Sequence, residues 1–450
     1  MVINMFDNIC AIATPYGTGA ISIIRCSGPK AIEYVNNIFK GKNLNKCESH
    51  TIHYGYILDG KEVVDEVLCN IFKAPNSFDG ENCVEINCHG GTFVTSEVLK
   101  VLLKSGFRLA ERGEFSKRAF LNKKLDLTQA EAIMDIISSN NKLALKSSTN
   151  SLRNKTANMI KDFRDKILQI LAEIEVNIDY PEYEDSVDVT HKYLSPIIDE
   201  MLKDMEKILD NSTISTVLVS GIKTAIVGKP NVGKSSLLNM LLNEDKAIVS
   251  NIAGTTRDLV EGMLNIRNIT LHLIDTAGIR KSNDYVESIG IERSEKAIKE
   301  ADLVLLVLDS SNDLEDEDYK LLELTKNKKR IIIANKNDLK PKWNLDDVIY
   351  ISALNKEGLE ELADKIYEIT NILNFNVDED KYLNNERQVA LMNKAYQALK
   401  SAKEGINNEI DIALIDVDIK EAFDSLGEIT GDAYPTELID ALFTKFCLGK

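Results

Sequence analysis

At 450 residues the chain has room for about three domains of ordinary size. Its 44% apolar and 28% charged residues are ordinary for a soluble globular protein, and a net charge of −17 argues against a protein that coats nucleic acid non-specifically, because phosphate contacts reward clustered Lys and Arg. No apolar run approaches the ~18 residues a membrane helix needs, and MVINMFDNICAIATPYG lacks a basic flank before an apolar core, so a cytoplasmic protein without a membrane anchor is expected.

From Ile9 to about Arg108, short apolar runs alternate with turn signals. AISIIR, TIHYGYIL, EVLCNIF and CVEINC read as strands, and KAIEYVNNIF and TSEVLKVLLKSG as helices, which predicts an α+β domain. Six of the seven cysteines (10, 26, 47, 69, 83, 88 and 447) fall in this stretch, and buried thiols are expected there instead of a disulfide framework. Cys83, Cys88, His89, His50 and His53 imitate a zinc site, but no C-x-x-C pair supports one.

Lys117, Arg118, Lys123, Lys124, Lys142, Lys146, Arg153, Lys155, Lys161, Arg164 and Lys166 form a basic zone, either a local basic surface or solvated helix faces. From Leu125 the spacing is helical: Ile160, Phe163, Ile167, Ile170, Leu171 and Ile174 share one face, and SPIIDEMLKDMEKIL follows as a second helix. At STISTVLVSGIK the pattern switches, and up to about Ile372 the runs IKTAIVG, ITLHLID, ADLVLLVLD, RIIIANK and VIYISA alternate with helical spacing, the signature of a parallel sheet covered by helices. Helical periodicity resumes in ERQVALMNKAYQALKSAKEG and VDIKEAFDSLGEITG, so the simplest arrangement inserts an α/β unit into a helical domain.

After the strand KTAIV, GKPNVGKSS matches G-x-x-x-x-G-K-[ST] from Gly228 to Ser235 and opens a helix. Backbone N–H groups of Asn231, Val232, Gly233, Lys234, Ser235 and Ser236 can cradle phosphates, with Lys234 on the β- and γ-phosphates and Ser235 on Mg²⁺. LIDTAG places Asp275, Thr276, Ala277 and Gly278 at a strand end, Asp275 reaching Mg²⁺ through water. Between them lies SNIAGTTRD, with Ser250, Asn251, Ile252, Ala253, Gly254 and Thr255 leading to Thr256, suited to complete the metal shell. In NKND, Asp338 can accept two hydrogen bonds from guanine, whereas adenine lacks the exocyclic amine and would leave the carboxylate unpaired. Asn335 and Lys336 would steady the base, with Ser352, Ala353 and Leu354 offering a backbone N–H to the guanine oxygen. Together the four elements specify a GTPase.

The chain resembles the MnmE (TrmE) family of tRNA-modification GTPases, within the TrmE-Era-like group, over nearly its whole length. Besides the nucleotide motifs, the likeness is carried by PYGTGAISIIRCSG, ENCVEINCHGG, GEFSKRAFLNKKLDLTQAEAIMDII, IDYPEYED and FCLGK. It implies a multidomain α/β chain: an N-terminal α+β dimerisation and folate-binding domain (1–118), a discontinuous helical domain (119–216 and 376–450) and an inserted Ras-like P-loop G domain (217–375). It also implies a cytoplasmic homodimer that joins the FAD-dependent partner MnmG in a heterotetramer and adds a carboxymethylaminomethyl-type group to C5 of the wobble uridine of certain tRNAs.

The family also implies site residues. Ile279 follows D-x-x-G where many GTPases carry a water-orienting Gln, and cannot orient water. In the family a K⁺ ion replaces an arginine finger and a glutamate orients the water; the matching positions are Asn231, Ser250, Ile252 and Thr255 for K⁺ and Glu287 for the glutamate. Ser250 and Asn251 depart from the family's usual Thr and Asp. Binding of 5-formyltetrahydrofolate is implied at Arg25, Glu85, Lys124 and Lys450, where cations suit glutamyl carboxylates and a carboxylate suits the pterin's donor edge. An Era-like ribosome-assembly or RNA-binding switch is the alternative, though no G-x-x-G loop follows Ile372 in a basic context. The ending Cys447-Leu448-Gly449-Lys450 reads as a prenylation box, a disulfide half, a frayed tail or part of a site. Gly and Lys fit prenylation poorly, and the resemblance implies that the tail reaches the folate pocket, with Cys447 as a candidate reactive thiol.

Overall fold

The computed structural model describes residues 7–179, 194–242, 262–267, 269–274, 289–370, 375–432, 436–446 and 449. Two units divide the chain, one reaching Met134 and taking in the residues from Leu426 onward, the other spanning Asp135–Ser425.

In the first unit, alternating apolar residues make strands with one buried face. They are β1 (Ile9–Ile12), β2 (Ile21–Ser27), β3 (Phe39–Gly41), β4 (Thr51–Asp59), β5 (Glu62–Phe72), β6 (Cys83–His89) and β7 (Arg108–Leu109). They pair in the order β3-β4-β5-β6-β2-β1-β7, antiparallel except for β1 with β7. Ile24, Cys26, Ile57, Ile71, Val84 and Ile86 point from the sheet into one core, closed by Val35 of helix Ala31–Ile38 and by Val98 and Leu102 of helix Thr92–Lys104. Cys10, Cys26, Cys47, Cys69 and Cys88 are free thiols buried there, Cys83 is buried outside that cluster, and burial pushes Cys10 and Cys69 up to about 12. Among the described residues no three His, Cys, Asp or Glu side chains gather as a metal site.

The basic zone needs correction at its start. Arg118, in helix Glu114–Leu121, is 1% exposed and pairs with Asp7, Glu81 and Glu114, while buried Lys117 pairs with Asp440. Both are interior because carboxylates distant in sequence meet them, not because the helix lacks polarity. Near the C-terminus, Ile439 and Phe443 of helix Thr436–Phe443, with Phe446 beyond it, pack on Leu127 and Ala130.

The second unit holds a six-stranded sheet, ordered β13-β12-β11-β8-β10-β9. Its strands are β8 (Ile222–Val227), β9 (Gly262–Ile266), β10 (Ile269–Ile274), β11 (Leu303–Asp309), β12 (Lys329–Asn335) and β13 (Val348–Tyr350). All pairs are parallel except β9 with β10. Leu303 to Leu308 are all buried because helices cover both faces, which explains the unbroken apolar run. Helices Lys234–Leu242, Ile289–Glu300, Asp316–Leu324 and Leu359–Thr370 accompany this sheet.

Helices Lys142–Leu152, Lys155–Asp179, Ser195–Ser220, Glu386–Asn407 and most of Ile412–Thr430 also belong to this unit. STISTVLVSGIK was expected to mark a switch out of helix, but helix Ser195–Ser220 continues through it. The hydroxyls of Ser212 and Ser220 donate back to the carbonyls of Ile208 and Thr216, at 2.5 and 2.7 Å, so polar residues are absorbed without breaking the helix. Gly221, at φ +74°, ends it and passes directly into β8. The segment leaving the α/β sheet is fastened to these helices by buried Asn384, whose Oδ1 accepts from Ser147 and Ser215 and whose Nδ2 donates to Ser151, all within 2.8 Å.

Candidate functional site

Parallel strands leave their carboxyl ends open, and ligands of such sheets bind there. β8 runs into the loop Gly228–Gly233, with Asn231 at φ +62° and Gly233 at φ +99°, and helix Lys234–Leu242 begins at once. A Cβ at Gly233 would lie 2.1 Å from Nδ2 of Asn335, so the loop closes on that side chain only because the position lacks one.

Asn335, at the end of β12 and 3% exposed, donates from Nδ2 to the Val232 carbonyl at 2.8 Å and accepts at Oδ1 from Ala353 N–H at 3.1 Å. One amide thus joins the phosphate loop to the loop carrying Ser352, Ala353 and the exposed Leu354. Asp338 accepts from Ser352 Oγ at 2.6 Å, which orients its carboxylate. The Lys234 ammonium donates to the carbonyls of Gly228 and Lys229, both at 2.6 Å, and burial pulls its pKa below the usual lysine value. Lys229 is anchored in turn by Asp318 and Glu315 at the start of helix Asp316–Leu324. Ser235 and Ser236 open their helix at the solvent face.

The expected nucleotide residues Asn231, Val232, Gly233, Lys234, Ser235, Ser236, Asn335, Lys336, Asp338, Ser352, Ala353 and Leu354 are therefore gathered at one edge of the sheet. Ser250, Asn251, Ile252, Ala253, Gly254, Thr255, Thr256, Asp275, Thr276, Ala277, Gly278 and Glu287 lie outside the described residues. Asp309, which pairs with Lys336 at 2.6 Å, was missed by sequence reasoning. A signal existed, since ADLVLLVLD puts a carboxylate at the carboxyl end of a buried parallel strand.

The first unit carries a second cluster. Arg25 and Glu85 are register partners on β2 and β6, and the guanidinium donates to Glu85 Oε1 from Nε at 3.1 Å and from a terminal nitrogen at 2.9 Å. Its other terminal nitrogen reaches the Gly449 carbonyl at 3.5 Å, while Phe78 and Phe115 place their rings 5.2 and 5.6 Å from its carbon. Lys124 donates to the Pro75 carbonyl at 3.0 Å, three residues before Phe78. The expected folate residues Arg25 and Glu85 are thus in contact, and Lys124, beyond helix Glu114–Leu121, bonds to the loop that supplies Phe78; Lys450 and Cys447 lie outside the described residues. The two aromatic partners of Arg25 were not anticipated, although Phe115 sits in the quoted GEFSKRAF stretch.

Two family models match the chain: "GTP-binding protein TrmE N-terminus" over residues 8–124 and "MnmE helical domain" over residues 127–447. Among curated relatives, the tRNA modification GTPase MnmE of Ligilactobacillus salivarius is 48% identical, covering 100% of this chain and 99% of its own. That of Acholeplasma laidlawii is 50% identical, over 99% and 100% of the two chains. That of Streptococcus thermophilus is 48% identical over 99% of each. With both sites built and the likeness running the full length, the chain belongs to the MnmE family of tRNA modification GTPases.

Proposed function

We propose that this GTPase hydrolyses GTP in a K⁺-stimulated cycle and, with the FAD-dependent partner MnmG, adds a carboxymethylaminomethyl-type group to C5 of the wobble uridine of certain tRNAs. The reading carries a cytoplasmic homodimer and a heterotetramer with MnmG. It divides the chain into an N-terminal domain (1–118), a G domain (217–375) and helical segments 119–216 and 376–450.

The observation that carries it is the guanine side of the nucleotide site: Asp338 is oriented by Ser352, and Asn335 ties the base-side loops to the phosphate loop. Asp338 takes two guanine N–H groups, and an adenine would leave this carboxylate unpaired. Backbone N–H groups at the start of helix Lys234–Leu242 meet the phosphates, and Lys234 exchanges its loop carbonyls for phosphate oxygens. Ser235 and Thr256, with Asp275 through water, would hold Mg²⁺, which neutralises charge on the β- and γ-phosphates. Asn231, Ser250, Ile252 and Thr255 offer the oxygen donors a hard monovalent cation needs. Glu287 orients the attacking water, a task Ile279 cannot perform.

In the first unit, Arg25, Glu85, Lys124 and Lys450 would hold a tetrahydrofolate such as 5-formyltetrahydrofolate, which supplies a one-carbon unit. The Arg25–Glu85 pair offers a cation for the ligand's carboxylates beside an acceptor for its donor edge. The reading includes Cys447 as a candidate reactive thiol near this ligand.

The test is mass spectrometry of tRNA wobble uridines in a strain lacking the gene, complemented by wild type or by Glu287→Ala. Loss of the modification without the gene, restored by wild type alone, is expected. Unchanged uridines with altered ribosome profiles would instead favour an Era-like assembly GTPase.

A further inference from the structure

Asp309 is a carboxylate at the edge of the sheet where an anionic nucleotide would bind, and charge repulsion gives such a group a cost unless it serves the site. It ends β11 directly opposite Asn335, which ends β12, so it stands one strand spacing from the guanine loop. Its orientation is heavily determined: Oδ1 accepts from Ser311 N–H at 2.9 Å and Ser311 Oγ at 2.6 Å, and Oδ2 accepts from Asn312 Nδ2 at 3.0 Å. Its carbonyl accepts from the Trp343 indole at 2.9 Å, so both main chain and side chain are held. Oδ2 also receives the Lys336 ammonium at 2.6 Å; the Asp309 side chain is 11% exposed and that of Lys336 33%. Burial pushes the Asp309 pKa up, yet these donors outweigh it and hold the group down at about 2, so it stays ionised.

Lys336 needs such an anchor. Its backbone stands at φ +66°, in the left-handed region that a lysine enters at a cost, and a four-carbon stem has many rotamers to choose among. Its loop continues to Asp338, whose carboxylate is fixed separately by Ser352. On the guanine-site reading the two acidic residues divide the work: Asp338 takes the base edge, while the Asp309 carboxylate is occupied by Ser311, Asn312 and Lys336.

We propose that Asp309 is a positioning residue of the guanine site, pinning the Lys336 ammonium so that the lysine stem and its loop are pre-formed around the base and bound nucleotide is retained. This rests on the guanine-site reading above. Asparagine at 309 keeps an oxygen for Ser311 but presents an uncharged NH₂ to Lys336, so Asp309→Asn removes the ion pair with little change in shape.

The experiment is stopped-flow release of a fluorescent GDP analogue from the full chain, for wild type, Asp309→Asn, Lys336→Met and the double variant, with a thermal melt of each. Loss of a partly buried charge-assisted bond is expected to speed release about tenfold in Asp309→Asn. Because Asp309 acts through Lys336, it should add less than about twofold in the Lys336→Met background. Asp309→Glu, which keeps the charge but displaces it, should fall between wild type and Asp309→Asn, and serves if the asparagine variant fails to fold. Wild-type release rates in both 309 variants, or effects that multiply in the double variant, overturn the proposal while leaving the guanine site intact. A wild type that holds ADP as well as GDP overturns the guanine-site reading, and the proposal with it.

Discussion

Gly233→Ala tests whether the phosphate loop and the base loop are one structural unit. The new Cβ would sit 2.1 Å from Asn335 Nδ2, inside any permissible contact, and the residue would have to hold φ +99°. A left-handed backbone at a non-glycine costs about 1–2 kcal/mol. Displacing the Asn335 amide from the Val232 carbonyl, 2.8 Å away and buried, costs about 1–3 kcal/mol more. The sum, about 2–5 kcal/mol, must appear as lost stability if the free loop keeps its shape, or as lost affinity if the loop relaxes and binding must push it back.

Because the ties from Lys234 and from Asp318 fall at Gly228 and Lys229, the far end of the loop from Gly233, relaxation around Gly233 is the cheaper route. Most of the cost is therefore expected in affinity, as a roughly 30-fold to several-thousand-fold weaker Kd for GDP, with the melting temperature nearly unchanged. Titration of a fluorescent GDP analogue alongside calorimetric melting measures both shares. Wild-type affinity and wild-type melting temperature together would refute the geometry, since no third place exists for the strain.

Arg118→Met should destabilise the first unit by roughly 3–5 kcal/mol, read from urea midpoints, because Glu114, Glu81 and Asp7 lose a cation that is itself 1% exposed. Burial pushes the Glu114 pKa up, but its bonds to Arg108, the Glu111 N–H and Arg118 outweigh this and hold it below the ordinary glutamate value. Its contribution is thus complete above the unfolded-state pKa of about 4.3 and lost as pH falls through the folded-state value; the wild-type midpoint should be flat from pH 7 to about 5 and fall below that, less steeply in Arg118→Met. Parallel acid limbs would contradict the assignment. Asn384→Ala strips partners from the buried hydroxyls of Ser147, Ser151 and Ser215 and should lower helical-domain stability by roughly 2–5 kcal/mol without changing GDP affinity, measured by thermal melting with the nucleotide titration as control.

What the sequence revealed of the fold follows the local physics of each element. β8, β11 and β12 carry segments buried on both faces, so they appear as the apolar runs AIV, LVLLVL and IIIA, followed by glycine, aspartate and asparagine, and the nucleotide loops are short enough to carry their chemistry in consecutive residues. β9 is invisible by that rule, being an antiparallel edge strand of only five residues, GMLNI. The continuation of helix Ser195–Ser220 through STISTVLVS was hidden because serine and threonine propensities favour turns unless their hydroxyls bond back to the preceding carbonyls, which is a tertiary outcome. Arg118 was unreadable for a different reason: an arginine in SKRAF looks solvated until Asp7, 111 residues away, and Glu81, 37 residues away, arrive beside it.

The same contrast explains the chain's ending. Taken alone, Cys-Leu-Gly-Lys is compatible with several fates, since nothing within it fixes its position. What precedes it is held firmly: Phe443 and Phe446 are buried against Leu127, and Asp440 pairs with the buried Lys117. With that helix held, Gly449 arrives near β1 and turns its carbonyl toward Arg25, 424 residues earlier in the chain. Arg25 is then enclosed by Glu85 at its edge and by Phe78 and Phe115 near its faces, so the cation is presented in one orientation instead of sweeping through solvent. On the folate reading proposed above, a guanidinium immobilised this way loses little further freedom on meeting a ligand carboxylate.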